Sequence, residues 1–362
     1  MNIAIIDADL ISRKKHRFPN LASMKISGWH KDNDDNVVLL TDWKSICDGS
    51  GYDKIYLSKV FTDTDVPSDI LQMPNLVYGG TGFYYDKAPK LPPEIEHHMP
   101  DYHLYDNWVE TQLYNGAKRK DFVYYLDYSI GFLTRGCFRQ CQFCVNRNYK
   151  RALLHSPLDE FLDSDRKKIC LLDDNILSHP EWKNLLQQLK NTGKRFQFKQ
   201  GLDERILTSE KCEMLFNCKY DGEYIFAFDN IADYDIIKQK LILIRNYTDK
   251  TLKFYVFCGF DRIDNWNIDF WYEDIVNVFK RIELLMHYKC LPYIMRFNRY
   301  VESPYKGIYI TLARWCNQPS MFKKTSFVEF CSMRKDSEKY LNDFLSQTSF
   351  GNDYENYLLM KY

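Results

Sequence analysis

The chain lacks an excess of charge of either sign. Its 362 residues include 49 Lys plus Arg and 49 Asp plus Glu, so the formal net charge is zero at pH 7. Such a balance provides no global field that would draw the protein to nucleic acid or to an anionic membrane. Nucleic acid is therefore not indicated as a partner, although the balance leaves room for a local basic patch.

Long hydrophobic runs are missing as well. No apolar stretch approaches the roughly 18 residues that span a bilayer, and the chain opens on a short strand pattern, Met1–Asp7, without a charged leader or a cleavage site. Solenoid repeats and low-complexity segments are also absent. These absences predict a cytoplasmic protein without a membrane partner.

The cysteines do not have the character of a disulfide framework. The chain has 11 of them, an odd number in a long sequence without an export signal, which favours reduced thiols and a metal site. Hydrophobic residues make up 45% of the chain and aromatic residues 16%. This composition excludes a disordered chain and is sufficient for the packed cores of two ordinary domains.

The first hundred residues alternate between apolar runs and helical patterns. The predicted elements are strands at Asn2–Asp7, Val37–Leu40, Lys54–Phe61 and Asn75–Tyr78 and helices at Leu21–His30, capped by Asn20, and Ser68–Gln72. This alternation is typical of a parallel doubly wound sheet. Residues 1–105 are therefore predicted to form a Rossmann-like domain, ending in a linker rich in Pro, His and acidic residues at 87–106.

A second alternating series starts near Val123. Its predicted strands are Ser129–Thr134, Lys168–Leu172, Phe196–Gln200, Tyr224–Phe228, Leu252–Phe257 and Leu291–Phe297, and its predicted helices are Glu181–Asn191, Ser209–Asn217, Tyr234–Asn246 and Phe270–Tyr288. This α/β order predicts a partial (β/α)6 TIM-type barrel over residues 106–324, with its active site at the carboxyl ends of the strands. Residues 325–362 are predicted to form a helical C-terminal tail that packs against the barrel.

Three cysteines in one predicted loop carry most of the functional information. Cys137, Cys141 and Cys144 have the spacing C-x3-C-x2-C, and three thiolates this close can bind three irons of a cubane cluster and leave the fourth iron open. The spacing alone arises by chance in roughly one of 100 such chains. Its context is more specific, because the loop follows an apolar strand, Gly136 permits a tight turn, and the aromatic Phe143 precedes the last cysteine.

Two other interpretations of these cysteines stay open. A structural zinc site takes four protein ligands, and none of the nearby histidines has the spacing of a zinc-ligand pair; they are His97, His98, His103 and His155. The second alternative is a set of three buried core cysteines without a metal.

The signature formed by Cys137, Cys141, Phe143 and Cys144 resembles that of the radical S-adenosylmethionine (SAM) enzymes. In that family C-x3-C-x-aromatic-C follows the first strand of a partial barrel, and the resemblance covers roughly residues 126–314. It implies that the three cysteines ligate a 4Fe-4S cluster, that SAM binds the fourth iron, and that Phe143 packs near the adenine. It further implies an enzyme that cleaves SAM reductively to a 5′-deoxyadenosyl radical, which abstracts hydrogen from an unknown substrate, with an electron donor such as flavodoxin or ferredoxin.

The resemblance also implies cofactor-binding residues at the ends of later strands. Asp173, Asp174 and Asn175 follow the second barrel strand, where family members place polar groups near the SAM amino group, which needs acceptors. The alternative is a helix start at Ser178 that leaves the carboxylates as loop charges. Further candidates at later strand ends are Gln200, Asp203, Arg205, Asp229, Gly259, Met295 and Arg296. For these, core packing and loop solvation, or a plain Asp203–Arg205 salt bridge, are the alternatives.

The N-terminal region resembles the cobalamin-binding-type domain that precedes the barrel in one subgroup of the family. The matching stretches are Phe18–Lys31, Val77–Gly82 and Met99–Tyr102. A histidine-ligating cobalamin domain has D-x-H-x-x-G, whereas this chain has Asp7-Ala-Asp-Leu-Ile-Ser12 and so lacks both the histidine and the glycine. Some subgroup members bind cobalamin without that ligand. Two roles are open for this domain: it binds cobalamin, or it shapes or covers the active site. The second role is favoured.

The remaining signals are weaker. The basic run Arg13–Arg17 is predicted to be a solvated loop, with contact to an RNA or nucleotide substrate as the alternative. Cys47 is the N-terminal domain's single cysteine, and Cys290, Cys316 and Cys331 lack a paired element, so no second cluster is predicted. The functions that compete with radical SAM hydrogen abstraction are a cobalamin-using radical SAM methyltransferase, a non-catalytic iron–sulfur electron-transfer or sensor protein, and a zinc-stabilised interaction module.

Overall fold

The computed structural model describes residues 1–13, 16, 18–46 and 51–362. Its strands are β1 Asn2–Asp7, β2 Asn36–Leu40, β3 Lys54–Ser58, β4 Leu76–Gly79, β5 Tyr128–Gly131, β6 Thr134–Arg135, β7 Leu153–Leu154, β8 Lys168–Leu171, β9 Arg195–Phe198, β10 Ile225–Ala227, β11 Leu252–Cys258 and β12 Cys290–Arg296. Its α-helices are α1 Ala8–Ser12, α2 Leu21–Asp32, α3 Thr81–Tyr84, α4 Pro93–Glu96, α5 Asp106–Tyr114, α6 Val123–Leu126, α7 Trp182–Asn191, α8 Ser209–Phe216, α9 Tyr234–Arg245, α10 Ile268–His287, α11 Lys306–Cys316, α12 Pro319–Phe322, α13 Phe327–Ser332, α14 Lys335–Gln347, α15 Phe350–Asp353 and α16 Glu355–Leu359.

The chain divides into two compact units. One comprises residues 1–179 with 188–197, and the other comprises residues 180–187 with 198–362. The domain boundaries predicted from sequence, at 105 and 324, stay predictions. Of the basic run, residues 14, 15 and 17 lie outside the described residues, as does Cys47. Within the described part of the chain, no helix has the length and apolar character needed to cross a membrane.

The first sheet is parallel and has the strand order β2-β1-β3-β4. Alternate residues of β1 pack into different cores: Ile3 and Ile5 join one hydrophobic cluster and Ala4 and Ile6 join another. This follows from the two-residue period of a strand, and burial of both faces is typical of parallel sheets. All four predicted strands of this region are present, although the third ends at Ser58 and not at Phe61, and the predicted helix Ser68–Gln72 is only a 3-10 turn, Ile70–Gln72.

Helix α2 covers one face of this sheet and begins where the sequence predicts. The side chain of Asn20 accepts a hydrogen bond from the backbone N–H of Ser23 at 3.1 Å, which satisfies one of the free donors of the first turn. Asn20 is thus the N-cap, as expected. Because α2 follows β1, its first turn lies at the carboxyl edge of the sheet.

The predicted linker at residues 87–106 is not an exposed tether. Ile95, Tyr102, Leu104 and Tyr105 are buried in the same hydrophobic cluster as β1 residues. The Tyr105 hydroxyl donates to the Asp7 carboxylate at 2.9 Å. The prolines indicated a linker by composition, but Pro93 occupies the first turn of the short helix α4, where its missing N–H has no cost.

Every strand predicted for the second series is present, within a few residues of its predicted bounds. The strands form two three-stranded sheets, β5-β8-β9 and β10-β11-β12. Beyond β9, an isolated parallel bridge pairs Leu202 with Phe226 of β10. The chain is thus an α/β protein with parallel sheets, and closure of these strands into one partial barrel stays a prediction.

The C-terminal tail is helical, as predicted. Ser326 and Glu329 form a reciprocal capping box at the start of α13, a strong helix start signal. In the same unit, the Phe279 ring of α10 lies 5.2 Å from the ring of Phe327 and 5.2 Å from that of Phe350. The tail therefore packs on α10 through buried aromatic side chains.

Candidate active site

The three cysteines lie in one loop that is closed by a short antiparallel pair. The loop leaves β6 and returns in β7, with Thr134 paired to Leu154 and Arg135 to Leu153. It follows β5, the first strand of its sheet, as the sequence predicts. Cys137, Cys141 and Cys144 are free thiols and half-buried, so they are neither core residues nor fully exposed.

Gly136 makes the turn into this loop possible. Its φ is +95°, and a Cβ atom there would lie 2.6 Å from the carbonyl oxygen of Arg151 and from the ring of Tyr149. An L-residue would be both strained and crowded at this position. The expectation that Gly136 permits a tight turn is confirmed.

Hydrogen bonds within the loop direct N–H groups at the sulfur atoms. The backbone N–H of Arg139 donates to Cys137 Sγ and that of Asn146 to Cys144 Sγ, both at 3.4 Å. The Asn175 side-chain amide also lies 3.4 Å from Cys137 Sγ as a donor. Such bonds stabilise thiolate charge and tune iron–sulfur sites.

The surroundings of Cys144 favour its neutral thiol. Burial raises the pKa of the Cys144 thiol, and the nearby Asp174, Cys141 and Cys137 add to the rise. Bound iron reverses this effect, because a coordinated thiol is deprotonated. Three thiols in one loop, with N–H donors at the sulfurs of Cys137 and Cys144, have the chemistry of cluster ligands that each bind their own iron. Among the described residues, no three His, Cys, Asp or Glu side chains converge on a single-ion site.

Asp174 connects the two ends of the cysteine loop. One carboxylate oxygen accepts the backbone N–H of Gly136 at 2.7 Å, and the other accepts the side-chain amide of Asn146 at 2.5 Å. Burial raises the pKa of Asp174, and the Gly136 hydrogen bond opposes that rise. Asn146 was not singled out in the sequence, where nothing distinguished it from other loop amides.

Asp173 stabilises the segment between β5 and β6, which leads into the cysteine loop. Its carboxylate accepts hydrogen bonds from the backbone N–H groups of Leu133 and Thr134 and from the Thr134 hydroxyl, at 3.1, 2.5 and 2.7 Å. Burial raises its pKa to about 7. Asp173, Asp174 and Asn175 thus lie beside the cysteine loop, and their contact with SAM stays a prediction. Ser178 ends a short 3-10 turn, Ile176–Ser178, instead of capping a helix.

The later candidate residues lie in the second unit. Gln200 is exposed beyond β9. Asp203 pairs with Arg205 at 2.7 Å, and Arg205 also binds Asp233, so the plain salt bridge considered for these residues exists. Their part in cofactor binding stays a prediction.

Asp229, Gly259 and Arg296 lie at the carboxyl ends of β10, β11 and β12. The Asp229 carboxylate accepts the backbone N–H of Phe257 at 3.1 Å; burial raises its pKa to about 6, and Arg281 opposes that rise. Gly259 has a φ of +74°. The Arg296 guanidinium lies 4.3 Å from the Tyr300 ring centroid. Their contact with SAM likewise stays a prediction.

A buried arginine that sequence reasoning missed holds this edge of the β10-β11-β12 sheet. Arg281 of α10 is 2% exposed, and its Nη1 donates to the carbonyl oxygens of Phe228 and Phe257 at 2.9 and 2.8 Å. Asp274, about two turns earlier on α10, accepts the Gly259 N–H at 2.7 Å. The sequence places Arg281 in an amphipathic helix, where a charged side chain is expected on the face exposed to solvent. Nothing in the sequence therefore indicated that it is buried.

A cavity of about 620 Å³ lies at the carboxyl edge of the first sheet. Its walls include Ser58 at the end of β3, Gly79 at the end of β4, Ser23 in the first turn of α2, and Tyr85 and Tyr149. The Ser23 side chain is 1% exposed, and its hydroxyl makes no hydrogen bond to any described residue. Ligands of open α/β sheets bind at this edge, and the volume is that of an ordinary ligand pocket.

Comparison with known proteins gives a fold relationship alone. No family model and no curated protein matches the chain. The solved structure of TsrM from Kitasatospora setae, a radical SAM methyltransferase with cobalamin and a [4Fe-4S] cluster bound, matches with a TM-score of 0.53 at 11% identity, over 82% of this chain and 72% of TsrM. This chain has the fold of a radical SAM enzyme.

The resemblance stated from the cysteine signature is thereby confirmed at the level of the fold. A second radical SAM structure, that of the cobalamin-dependent enzyme OxsB, matches at 14% identity over 82% of this chain and 49% of OxsB, with a TM-score of 0.37. TsrM has cobalamin bound, so the likeness gives no support to the expectation that cobalamin is disfavoured here.

Proposed function

We propose that this protein is a radical SAM enzyme in which Cys137, Cys141 and Cys144 hold a 4Fe-4S cluster. The observation that carries the proposal is the cysteine loop itself. Three half-buried free thiols lie in the C-x3-C-x2-C spacing, in the loop between β6 and β7 that follows the parallel strand β5, with N–H donors at two of the sulfurs. The radical SAM fold is the second support.

When bound, a reduced cluster of this kind supplies the electron that cleaves SAM and starts hydrogen abstraction. The chain's own part is to bind and orient SAM and the substrate, and to exclude water from them. Asp174 keeps the loop ends together, and Phe143 is proposed to pack near the adenine. The proposal assigns SAM binding to Asp173, Asp174, Asn175, Gln200, Asp229, Gly259 and Arg296.

The finer fold belongs to the same proposal. It comprises a Rossmann-like domain followed by a partial (β/α)6 barrel, in a cytoplasmic protein that takes electrons from a donor such as flavodoxin or ferredoxin. The substrate is left open, because it is set by loops whose residues are chemically mixed.

Anaerobic reconstitution with iron and sulfide tests the proposal. We expect a brown protein that releases 5′-deoxyadenosine from SAM when a strong reductant is added. Replacing Cys137, Cys141 or Cys144 by Ala should abolish both properties. Cys218→Ser is a matched control, since Cys218 Sγ donates to Met214 O at 3.0 Å and a serine keeps that donor. A colourless wild-type protein with intact thiols would overturn the proposal, and a cluster that neither binds nor cleaves SAM would favour an electron-transfer or sensor protein.

Methyl transfer with cobalamin is a second candidate, favoured by the cavity at the carboxyl edge of the first sheet. The cavity lies where ligands of open α/β sheets bind, and its walls include the ends of β3 and β4 and the first turn of α2. TsrM, which shares the fold, has cobalamin bound. The missing D-x-H-x-x-G histidine means that no residue of that motif would ligate cobalt.

Absorbance of the protein after incubation with hydroxocobalamin and gel filtration tests this candidate. We expect retained cobalamin in the wild-type protein and loss of retention in Ala22→Phe, which would fill the cavity from α2. Ala232→Phe, at an exposed position outside the cavity, is the control. If neither the wild type nor either variant retained cobalamin, the proposed function would return to cobalamin-independent hydrogen abstraction.

A further inference from the structure

The turn that follows β4 and α3 contacts the cysteine loop at three points, all within the first unit. The Tyr85 hydroxyl donates to the carbonyl oxygen of Phe143 at 2.5 Å. The Asp86 carboxylate accepts from the Arg147 guanidinium at 2.8 Å, and the Asp86 carbonyl oxygen accepts from the Asn148 side chain at 3.3 Å. These contacts join segments about 60 residues apart in sequence.

This turn is anchored on the first sheet. The backbone N–H of Gly82 donates to the carbonyl oxygen of Lys59 at 2.9 Å, and a Cβ atom on Gly82 would lie 2.7 Å from the carbonyl oxygen of Phe61. The α3 backbone is therefore in close contact with the loop after β3. A group held on such packed backbone is placed more accurately than one on a free loop.

Tyr85 itself has a strained backbone. Its φ is +51° and its ψ is −113°, a conformation that a bulky L-residue rarely adopts. Strain of this kind persists only where surrounding contacts hold it, and it is concentrated at functional sites. The hydrogen bond from Tyr85 to Phe143 is such a contact.

The consequence for the cysteines follows from the peptide unit that joins Phe143 to Cys144. Its carbonyl oxygen is held by Tyr85, and its N–H donates to the carbonyl oxygen of Cys141 at 2.9 Å. A peptide unit fixed at both of its polar groups cannot rotate freely, because it is planar. This fixes the N–Cα bond of Cys144, and the Arg147 N–H, which donates to the Cys144 carbonyl oxygen at 3.3 Å, restrains the peptide on its other side. Together these contacts limit the direction of the Cα–Cβ bond of Cys144.

We propose that Tyr85 and Asp86 are positioning residues for the cluster loop: Tyr85 fixes Cys144 through the Phe143 peptide, and Asp86 anchors the loop beyond it through Arg147. This inference rests on the proposed function. Both residues also line the cavity at the carboxyl edge of the first sheet, so a ligand in that cavity touches the same side chains that hold the cysteine turn.

The test compares reconstituted wild-type, Tyr85→Phe and Asp86→Asn proteins. The readouts are the electron paramagnetic resonance spectrum and the reduction potential of the cluster, and its rate of loss to an iron chelator. We expect Tyr85→Phe to shift the spectrum and the potential, since hydrogen bonding around a cluster tunes it. For Asp86→Asn we expect roughly tenfold faster loss of iron, the usual scale for residues that orient metal ligands.

Tyr84→Phe is the matched control, because the neighbouring Tyr84 ring stacks on Tyr78 at 5.9 Å instead of facing the loop. Tyr85→Gly removes the hydroxyl and the strain together, since glycine adopts positive φ freely. It keeps the test valid if other variants fold poorly. We expect it to shift the cluster signals without lowering the melting temperature of the protein. Wild-type signals in Tyr85→Phe, Tyr85→Gly and Asp86→Asn would overturn the inference alone. A wild-type protein that binds no cluster would overturn the proposed function, and this inference with it.

Discussion

Asp174 accepts a hydrogen bond from the backbone N–H of Gly136 at 2.7 Å, immediately before the first cysteine of the candidate cluster loop. The second oxygen of the same carboxylate binds Asn146, two residues after the last cysteine. One side chain thus closes the loop that carries all three thiols.

Asp174→Ala should therefore loosen the loop at both ends. We expect roughly tenfold weaker retention of iron after reconstitution, measured as iron per chain after dialysis against a chelator. Asp174→Asn keeps one acceptor oxygen and should have a smaller effect. Asp165→Ala, at an exposed position, is the control. Iron retention equal to that of the wild type in Asp174→Ala would contradict this role.

Gly136→Ala should also impair cluster binding, because the added Cβ would meet the Arg151 carbonyl at 2.6 Å. Positive φ by itself costs an L-residue about 1–2 kcal/mol. Gly116 provides a matched control: its φ is +89°, and an added Cβ has no atom within 4 Å. In Gly116→Ala the free-energy cost comes from the positive φ alone. We expect iron content to fall in Gly136→Ala alone, and equal iron content in the two variants would show that crowding is unimportant.

Arg281→Met should be strongly destabilising. The buried guanidinium satisfies two carbonyl oxygens and offsets the charge of Asp229 and Asp274. Breaking such a buried arrangement costs about 3–5 kcal/mol. The free energy of unfolding in urea measures this loss. The exposed Arg262→Met should change stability by less than about 0.5 kcal/mol, and a similar small effect at Arg281 would contradict the assignment.

Asp7 should make stability depend on pH. Burial raises its pKa from 3.8 to about 7, with Asp9 adding to the rise and the Tyr105 hydrogen bond opposing it. Between these two values the folded state holds a proton that the unfolded state has lost, so stability decreases as pH increases and levels off above about 7.

Asp7→Asn removes this titration. The free energy of unfolding of the wild type minus that of Asp7→Asn should therefore fall by more than about 1 kcal/mol between about pH 5 and pH 8. Urea unfolding at several pH values measures the difference. A difference that is constant or rises with pH would rule out a raised pKa for Asp7.

The elements of this fold could be predicted because their signals are local. The apolar run of β1 and the Asn20 cap of α2 each lie within a few neighbouring residues. The cysteine loop was predictable for the same reason, since its spacing and its glycine occupy nine consecutive positions, 136–144.

The contacts that complete the site depend on residues distant in sequence. Tyr85 reaches Phe143 across 58 positions, and Arg281 reaches Phe228 across 53. A periodic pattern tells which face of an element is apolar but not which partner a polar side chain finds. Tyr85 was one tyrosine among 27, and only its backbone conformation distinguishes it.

The packing of residues 91–126 onto β1 determines how the first sheet can be studied in isolation. A fragment that stopped at residue 105 would remove Val109, Phe122 and Tyr125 from the cluster that they share with Ile3 and Ile5, and would expose that face to water. A fragment that extended through Leu126 would retain the whole cluster. Expression of the shorter piece should yield aggregates, whereas the longer piece carries its own apolar cover.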